Sequence, residues 1–171
     1  TVTGAGSCVL RQGGKGVKIR GATAGKIISL DVTDANNMGA AMAPAAAETI
    51  LRFFRDTGTS PEAYDGIFTG DLGAVGSTLL YELLLAEGVD VRSNHRDCGL
   101  LIYDREQQDV HAGGSGCGCC ATVLCAKLLP ELRSGKLRNV LFTATGALLS
   151  ATTAQQGKPI PAVAHLIHFV A

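Results

Sequence analysis

Tryptophan is missing from this chain of 171 residues, and aromatic residues of all kinds make up only 5% of it. Alanine and glycine must therefore fill much of the interior. Neither sign of charge is in excess, since 15 basic residues balance 15 acidic ones and no long run of either sign occurs. That balance excludes the electrostatic footprint of a nucleic-acid binder or of a protein held on an anionic membrane surface, and favours a small neutral or locally recognised partner. No apolar run reaches the roughly 18 to 20 residues that span a bilayer. The opening TVTGAGSCVL lacks the basic start and the cleavage site of a secretory signal, so a soluble chain is expected. It also lacks an initiator methionine, which suggests a processed or truncated piece.

A disulfide scaffold is missing too. Cys8 and Cys98 stand apart, while Cys117, Cys119, Cys120 and Cys125 crowd into one apolar segment. Staples would be spread among loops; this pattern reads as reduced and intracellular. What the chain has in abundance is glycine, 22 residues, nearly double the usual share of about 7%. Sharp turns and close backbone approaches follow.

The pattern of residues predicts an α/β domain around one sheet. Residues 1–10 read as a strand and 17–32 as one or two more. A helix follows the turn DANNMGAAMAP, with Pro44 in its first turn and Ala47, Ile50, Leu51 and Phe54 on one face. GIFTG (66–70) is a short buried strand. Asp71 stands where an N-cap belongs, ahead of a helix marked by Leu72, Val75, Gly76, Leu79, Leu80 and Leu83. LLIYD (100–104) is a further strand candidate, and 137–146 and 163–170 are clear strands. His165 and His168, three apart on the last strand, face opposite sides. His95 and Asp97 fall in the polar run VRSNHRD and are expected to be solvated.

The segment DVHAGGSGCGCCATVLCAKLL (109–129) draws attention to itself. A metal site needs converging ligands, yet Cys117, Cys119 and Cys120 would point in three directions on a helix. A redox pair Cys117/Cys120 needs an exposed, electropositive helix start. A catalytic pair of His111 with a cysteine needs the two within hydrogen-bond reach. A dinucleotide loop needs a preceding strand and an acidic residue about 20 positions on, and here a polar run and Lys136 and Arg138 stand instead. The plainest reading is packing: the helix from Cys117 to Leu132 is apolar nearly all round and should be buried nearly all round, with cysteine as a small hydrophobe. Its glycine-rich start can still receive an anion on free N–H groups.

Several long strings carry a family resemblance: NNMGAAMAPAAAETI, DGIFTGDLGAVG, VHAGGSGCGC, VLFTATGALLSATTAQQG and the terminal IPAVAHLIHF. Together they resemble, nearly end to end, a sporulation family of spore-forming bacteria, the stage V AD proteins, within the thiolase-like superfamily. The resemblance implies an α/β fold, a thiolase-like C-terminal half with a mixed sheet packed on a buried central helix. Residues 1–32 would be terminal strands of the first half, and 33–171 the C-terminal domain.

In condensing enzymes of the superfamily a cysteine of the first half works with two polar residues and a glycine-rich closing loop of the second. By resemblance the polar slots fall at Asp71 and His111, and the closing loop at Gly146, Ala147 and Leu148 and the two residues after them. Gln155 and Gln156 follow that loop and are candidates to line the same pocket. Asp71 departs from the pattern, because an ionised carboxylate cannot donate to a carbonyl oxygen.

The resemblance therefore implies a protein that is not an enzyme and binds dipicolinic acid, or its calcium chelate, for uptake into the developing spore. His111, Asp71, Gly113, Gly114, Ser115, Gly146, Ala147 and Leu148 would form the ligand site, with no cofactor and no protein-bound metal. The implied setting is the forespore or spore, peripheral at the inner membrane, beside other stage V sporulation membrane proteins. Nucleic acid is not among the partners, and the full-length form would be a homodimer. The alternative is a condensing or acyl-transferring enzyme half whose nucleophile lies in a missing N-terminal region.

Overall fold

The computed structural model describes residues 1–171. Five strands form one mixed sheet in the order β1-β5-β4-β2-β3. Its centre is β4 (Asn139–Ala147), which pairs antiparallel with β5 (Ala162–Val170) over nine residue pairs and parallel with β2 (Gly66–Thr69). The short β3 (His95–Asp97) extends the parallel side, and β1 (Lys18–Thr23) pairs antiparallel along β5. Ile28 adds an isolated bridge to Ala162. The α/β reading and the strands at 66–70, 137–146 and 163–170 agree with this.

Alternation sends the two faces of the sheet to separate cores. Ile67, Leu141, Ala164 and Leu166 pack under α1 (Met38–Thr57) and α2 (Gly73–Ala86). Phe68, Val140, Phe142 and Phe169 meet Cys98, Cys119, Val123, Leu128 and Leu132 on the other side. Those last residues come from α3 (Cys98–Leu101) and from one continuous helix, α4 (Cys119–Val123), a π-helical turn (Leu124–Leu128) and α5 (Leu129–Arg133). The short α6 (Ala151–Gln155) stands on the surface with Gln155 and Gln156 exposed.

Helix α1 begins earlier than its proline suggests. Asn37 caps it by accepting from the Ala40 N–H at 3.3 Å, and Gly58, with φ of 64°, closes it in the left-handed conformation. Pro44 is therefore its seventh residue, not a member of the first turn. The extra turn is held because α1 crosses α2 with backbone on backbone: a Cβ at Gly76 would lie 2.8 Å from the Gly39 carbonyl oxygen.

Three further expectations are corrected. Residues 1–10 form no strand; Gly4 and Gly6 lie against the backbone of Gly118 and Ala121, so the segment packs on a helix and not on a strand edge. Residues 100–104 form no strand either, because helix Cys98–Leu101 already takes up their start. The chain turns instead into α3, where the Gly114 N–H donates to the Gly99 carbonyl at 2.7 Å. The cysteine helix starts at Cys119, and it is buried on one face only: Cys119, Val123, Leu128 and Leu132 are inside, while Cys117, Ala126 and Pro130 are exposed. Cysteine as packing holds for Cys98 and Cys119, not for Cys8 and Cys117.

The α1–α2 crossing is testable. Gly76→Val forces a branched side chain onto the Gly39 backbone and is expected to cost about 1 to 3 kcal/mol, seen as a melting point several degrees lower. Glu82→Ala, on the exposed face of the same helix, should change it little. An unchanged melting point for Gly76→Val would show that the helices can part at this crossing without loss.

Candidate functional site

Where β2 and β3 end, four polar side chains form a buried chain. His95 and Asp97, expected to be solvated, are 2% and 1% exposed. The reason is pairing: the parallel register sets Thr69 beside Asp97. The Thr69 hydroxyl donates to Asp97 Oδ1 at 2.6 Å, and because it has one proton, its 2.9 Å contact with His95 Nε2 must be one it accepts. The His95 proton is thus on Nε2, and Nδ1 accepts from the Tyr81 hydroxyl at 2.8 Å. Burial, then the neighbouring Arg96 charge, push His95 down to about 4, so this neutral tautomer is the form at neutral pH.

Asp97 also accepts the backbone N–H groups of Leu72 at 2.9 Å and Gly73 at 3.0 Å. It is therefore the acid at the start of α2, satisfying the orphan donors that were assigned to Asp71. Burial raises its pKa; the hydrogen bonds of Thr69, Gly73 and Leu72 pull it back.

Relieved of capping, Asp71 turns the other way. One carboxylate oxygen accepts from the Gly116 N–H at 2.9 Å and the other from the Thr145 hydroxyl at 3.0 Å, while the Asp71 N–H donates to Thr145 Oγ1 at 3.1 Å. Burial raises this carboxyl as well, against the two hydrogen bonds. Asp71 stands with Met38 and Met42 in the wall shared by two cavities.

The first, a cleft of about 460 Å³, opens between the starts of α1 and α2 and the loop 109–115. Four expected ligand residues, His111, Gly113, Gly114 and Ser115, line it with Asp71, and Asn36, Asn37 and Tyr103 join them. The second, about 320 Å³, is lined by Met38, Met42, Cys117, Cys120 and Thr145 with Gly146 and Ala147. Leu148 lines neither and is 50% exposed; Gln155 and Gln156 line neither as well. The eight expected ligand residues thus divide between two adjoining spaces with Asp71 in common, and Leu148 stands apart.

The loop 109–116 is tied down along its length. Its Ala112 carbonyl accepts from Ala74 at 2.8 Å, its Gly113 N–H donates to Val110 at 2.8 Å, and its Ser115 carbonyl accepts from Val2 at 2.8 Å. Gly113 and Gly116 have φ of 122° and 108°, a region that favours glycine. His111 has φ of 46°, and Arg105 Nε donates to its carbonyl at 3.0 Å. Its side chain is 89% exposed, with Nε2 3.7 Å from Asp109.

The thiols nearest Asp71 and Asp97 are suppressed as nucleophiles. Burial, then the Asp71 charge, push Cys119 up to about 12; burial, then Asp97, drive Cys98 well above the ordinary thiol range. Sequence reasoning missed Thr69, Tyr81, His95, Asp97 and Thr145 as parts of the site. One local signal existed: His95 and Asp97 alternate around Arg96 just after Val91, as a half-buried strand would.

The family model described as Stage V sporulation protein AD (SpoVAD) matches residues 1–170. Stage V sporulation protein AD of Bacillus subtilis (strain 168) is 48% identical over 169 residues, 99% of this chain and 50% of that protein. The chain spans about half the length of the curated relative it matches.

A neutral buried His95 makes stability depend on pH. Above about pH 6.5 neither state protonates it and its contribution is flat. As pH falls towards about 4 the unfolded chain takes up a proton that the folded protein refuses, and up to about 3 kcal/mol of stability is lost. His168, also lowered, acts with the same sign; Asp71 and Asp97, raised, act with the opposite one, stabilising below their ordinary range and losing that as pH rises. Urea unfolding at pH 7 and pH 4.5 should therefore show a clear loss at the lower pH that shrinks in His95→Gln. An equal loss in that variant would place the effect elsewhere.

Proposed function

The chain belongs to the stage V sporulation protein AD family, and from that premise we propose that it forms the ligand-binding half of a non-catalytic, thiolase-like protein that takes dipicolinic acid, or its calcium chelate, into the developing spore. It is a sporulation protein, and a spore-associated location goes with that. No helix is long and apolar enough to cross a membrane. On this reading residues 1–32 close a first thiolase-like half and 33–171 make the second. The protein works as a homodimer, peripheral at the inner membrane of the forespore, beside stage V sporulation membrane proteins and not with nucleic acid.

The observation that supports the reading best is Asp71. A polarising slot needs a donor, whereas both oxygens of this carboxylate already accept, from Gly116 and Thr145. An acceptor on the wall of a cleft suits a cation. The calcium of a chelate would meet Asp71, while the carboxylates of the dipicolinate would meet His111 and the N–H and hydroxyl of Ser115, since the N–H groups of Gly113, Gly114 and Gly116 already donate to Val110, Gly99 and Asp71. Free dipicolinate, a dianion, gains nothing from Asp71 and is repelled by it.

One observation favours the acyl-transfer alternative. Burial raises Asp71 towards its protonated form, and a protonated carboxyl can donate. A nucleophile from another part of the protein would then find a polariser here.

Calorimetry separates the two. With this chain replacing the corresponding half of the Bacillus subtilis relative, dipicolinate should bind, and more tightly with calcium. His111→Ala is expected to weaken binding about tenfold or more, the worth of one charge-assisted hydrogen bond. Asp71→Asn should weaken the chelate and tighten the free acid, whose repulsion it removes. Unchanged affinity in both variants would remove the cleft from the function, and turnover of acyl thioesters lost in Asp71→Asn would establish the alternative.

A further inference from the structure

Cys8 and Cys125 lie 117 positions apart in the chain, yet their sulfurs are 3.4 Å from one another. Backbone fit brings them together. Residues 1–8 run along the outside of α4 without a strand partner, and Gly4 and Gly6 let the segment sit directly on it: a Cβ at Gly6 would be 2.2 Å from the Ala121 carbonyl oxygen and 2.8 Å from Cys125 Sγ. Cys125 Sγ also reaches the Ser7 carbonyl at 3.8 Å. Past Cys8 the chain leaves the surface, with Val9 98% and Leu10 74% exposed.

We propose that Cys8 and Cys125 are a redox modification site, closing into a disulfide by exchange with a low-molecular-weight disulfide and fastening residues 1–8 onto the helix of residues 119–133. The sulfurs need approach by only about 1.4 Å to reach bonding distance. Exchange starts at Cys8, which is exposed. Its thiolate attacks the reagent, which leaves one thiolate behind and one half bound to Cys8. The Cys125 thiolate then displaces that half, so that one reagent disulfide is reduced to two thiols as the protein dithiol is oxidised. Desolvation and the Cys8 contact hold Cys125 above the ordinary thiol range, in keeping with its role as the second, resolving partner. Cys98 and Cys119 are buried beyond a reagent's reach.

The fastened segment matters to the cleft. Thr1 lines it, and the Val2 N–H holds the Ser115 carbonyl of its loop at 2.8 Å. Oxidation therefore fixes one wall of the cleft in place. The disulfide stands on its own geometry, whether or not the cleft takes dipicolinate.

The reduced Cys117→Ser chain, which lacks the other exposed thiol, should lose two hydrogens in mass when incubated with glutathione disulfide, and peptide mapping should join Cys8 to Cys125. Cys8→Ser should abolish the link. Cys125→Ser and Cys125→Ala should each stall as the glutathione adduct of Cys8, while the parent chain should form the same link and carry glutathione on Cys117 alone. Amide exchange across residues 1–8 should slow at least tenfold on oxidation. A stable glutathione adduct on Cys8 in the parent chain, or a crosslink mapped to another cysteine, would overturn the assignment.

Discussion

A single buried carboxylate organises the end of the sheet. Asp97 is 1% exposed, and a charge so placed is tolerable only where donors surround it. It finds three: the hydroxyl of Thr69 on β2 and the N–H groups of Leu72 and Gly73 at the start of α2. One side chain thus fixes where a strand stops, where the next helix starts and how the turn between them is shaped. Asp71 lies within that turn. Because Asp97 already serves the helix start, Asp71 is left to bridge Gly116 and Thr145, where it stands with Met38 and Met42 between the two cavities.

The parts of this architecture that local pattern controls were legible in the sequence. Apolar spacing found α1 and α2, and alternation found β4 and β5, since each element is long enough for its period to register. The failures share a cause. VRSNHRD is polar, and polarity alone says loop; His95 and Asp97 are buried only because Thr69, Tyr81 and the start of α2 satisfy them from 14 to 28 positions away. LLIYD has the composition of a strand, but the chain has already turned into α3 there, directly after β3. TVTGAGSCVL has β-branched residues, but its glycines fit a helix surface. The family resemblance supplied Asp71 and His111, which lie on one cleft, yet it could not supply their supports.

The reach of Asp71 extends past its own donors. Asp71 raises Asp97 through their like charge, and both act through the same field on Cys98 and Cys119. The region around the turn is therefore poor ground for a thiolate and good ground for a cation. On the proposed reading, this field is what would suit a chelate better than a bare dianion, and it comes from the burial of two aspartates that no glycine motif reveals.

The strain at His111 fits the same scheme. A residue other than glycine at φ of 46° costs about 1 kcal/mol or more and persists only where its surroundings hold it. Here they do. Arg105 holds the His111 carbonyl, Ala74 holds that of Ala112, Gly99 accepts from Gly114, Val2 holds Ser115, and Asp71 accepts from Gly116. Anchors come from four separate parts of the chain, so the loop keeps its shape without a ligand. His111 itself stays exposed at the mouth, with its backbone fixed and its imidazole unburied. A ligand entering the cleft then meets a loop already in shape, and the entropy of ordering that loop is not charged against binding. The glycines around the cysteine helix have that as their purpose: they let the loop take a shape that its neighbours can hold.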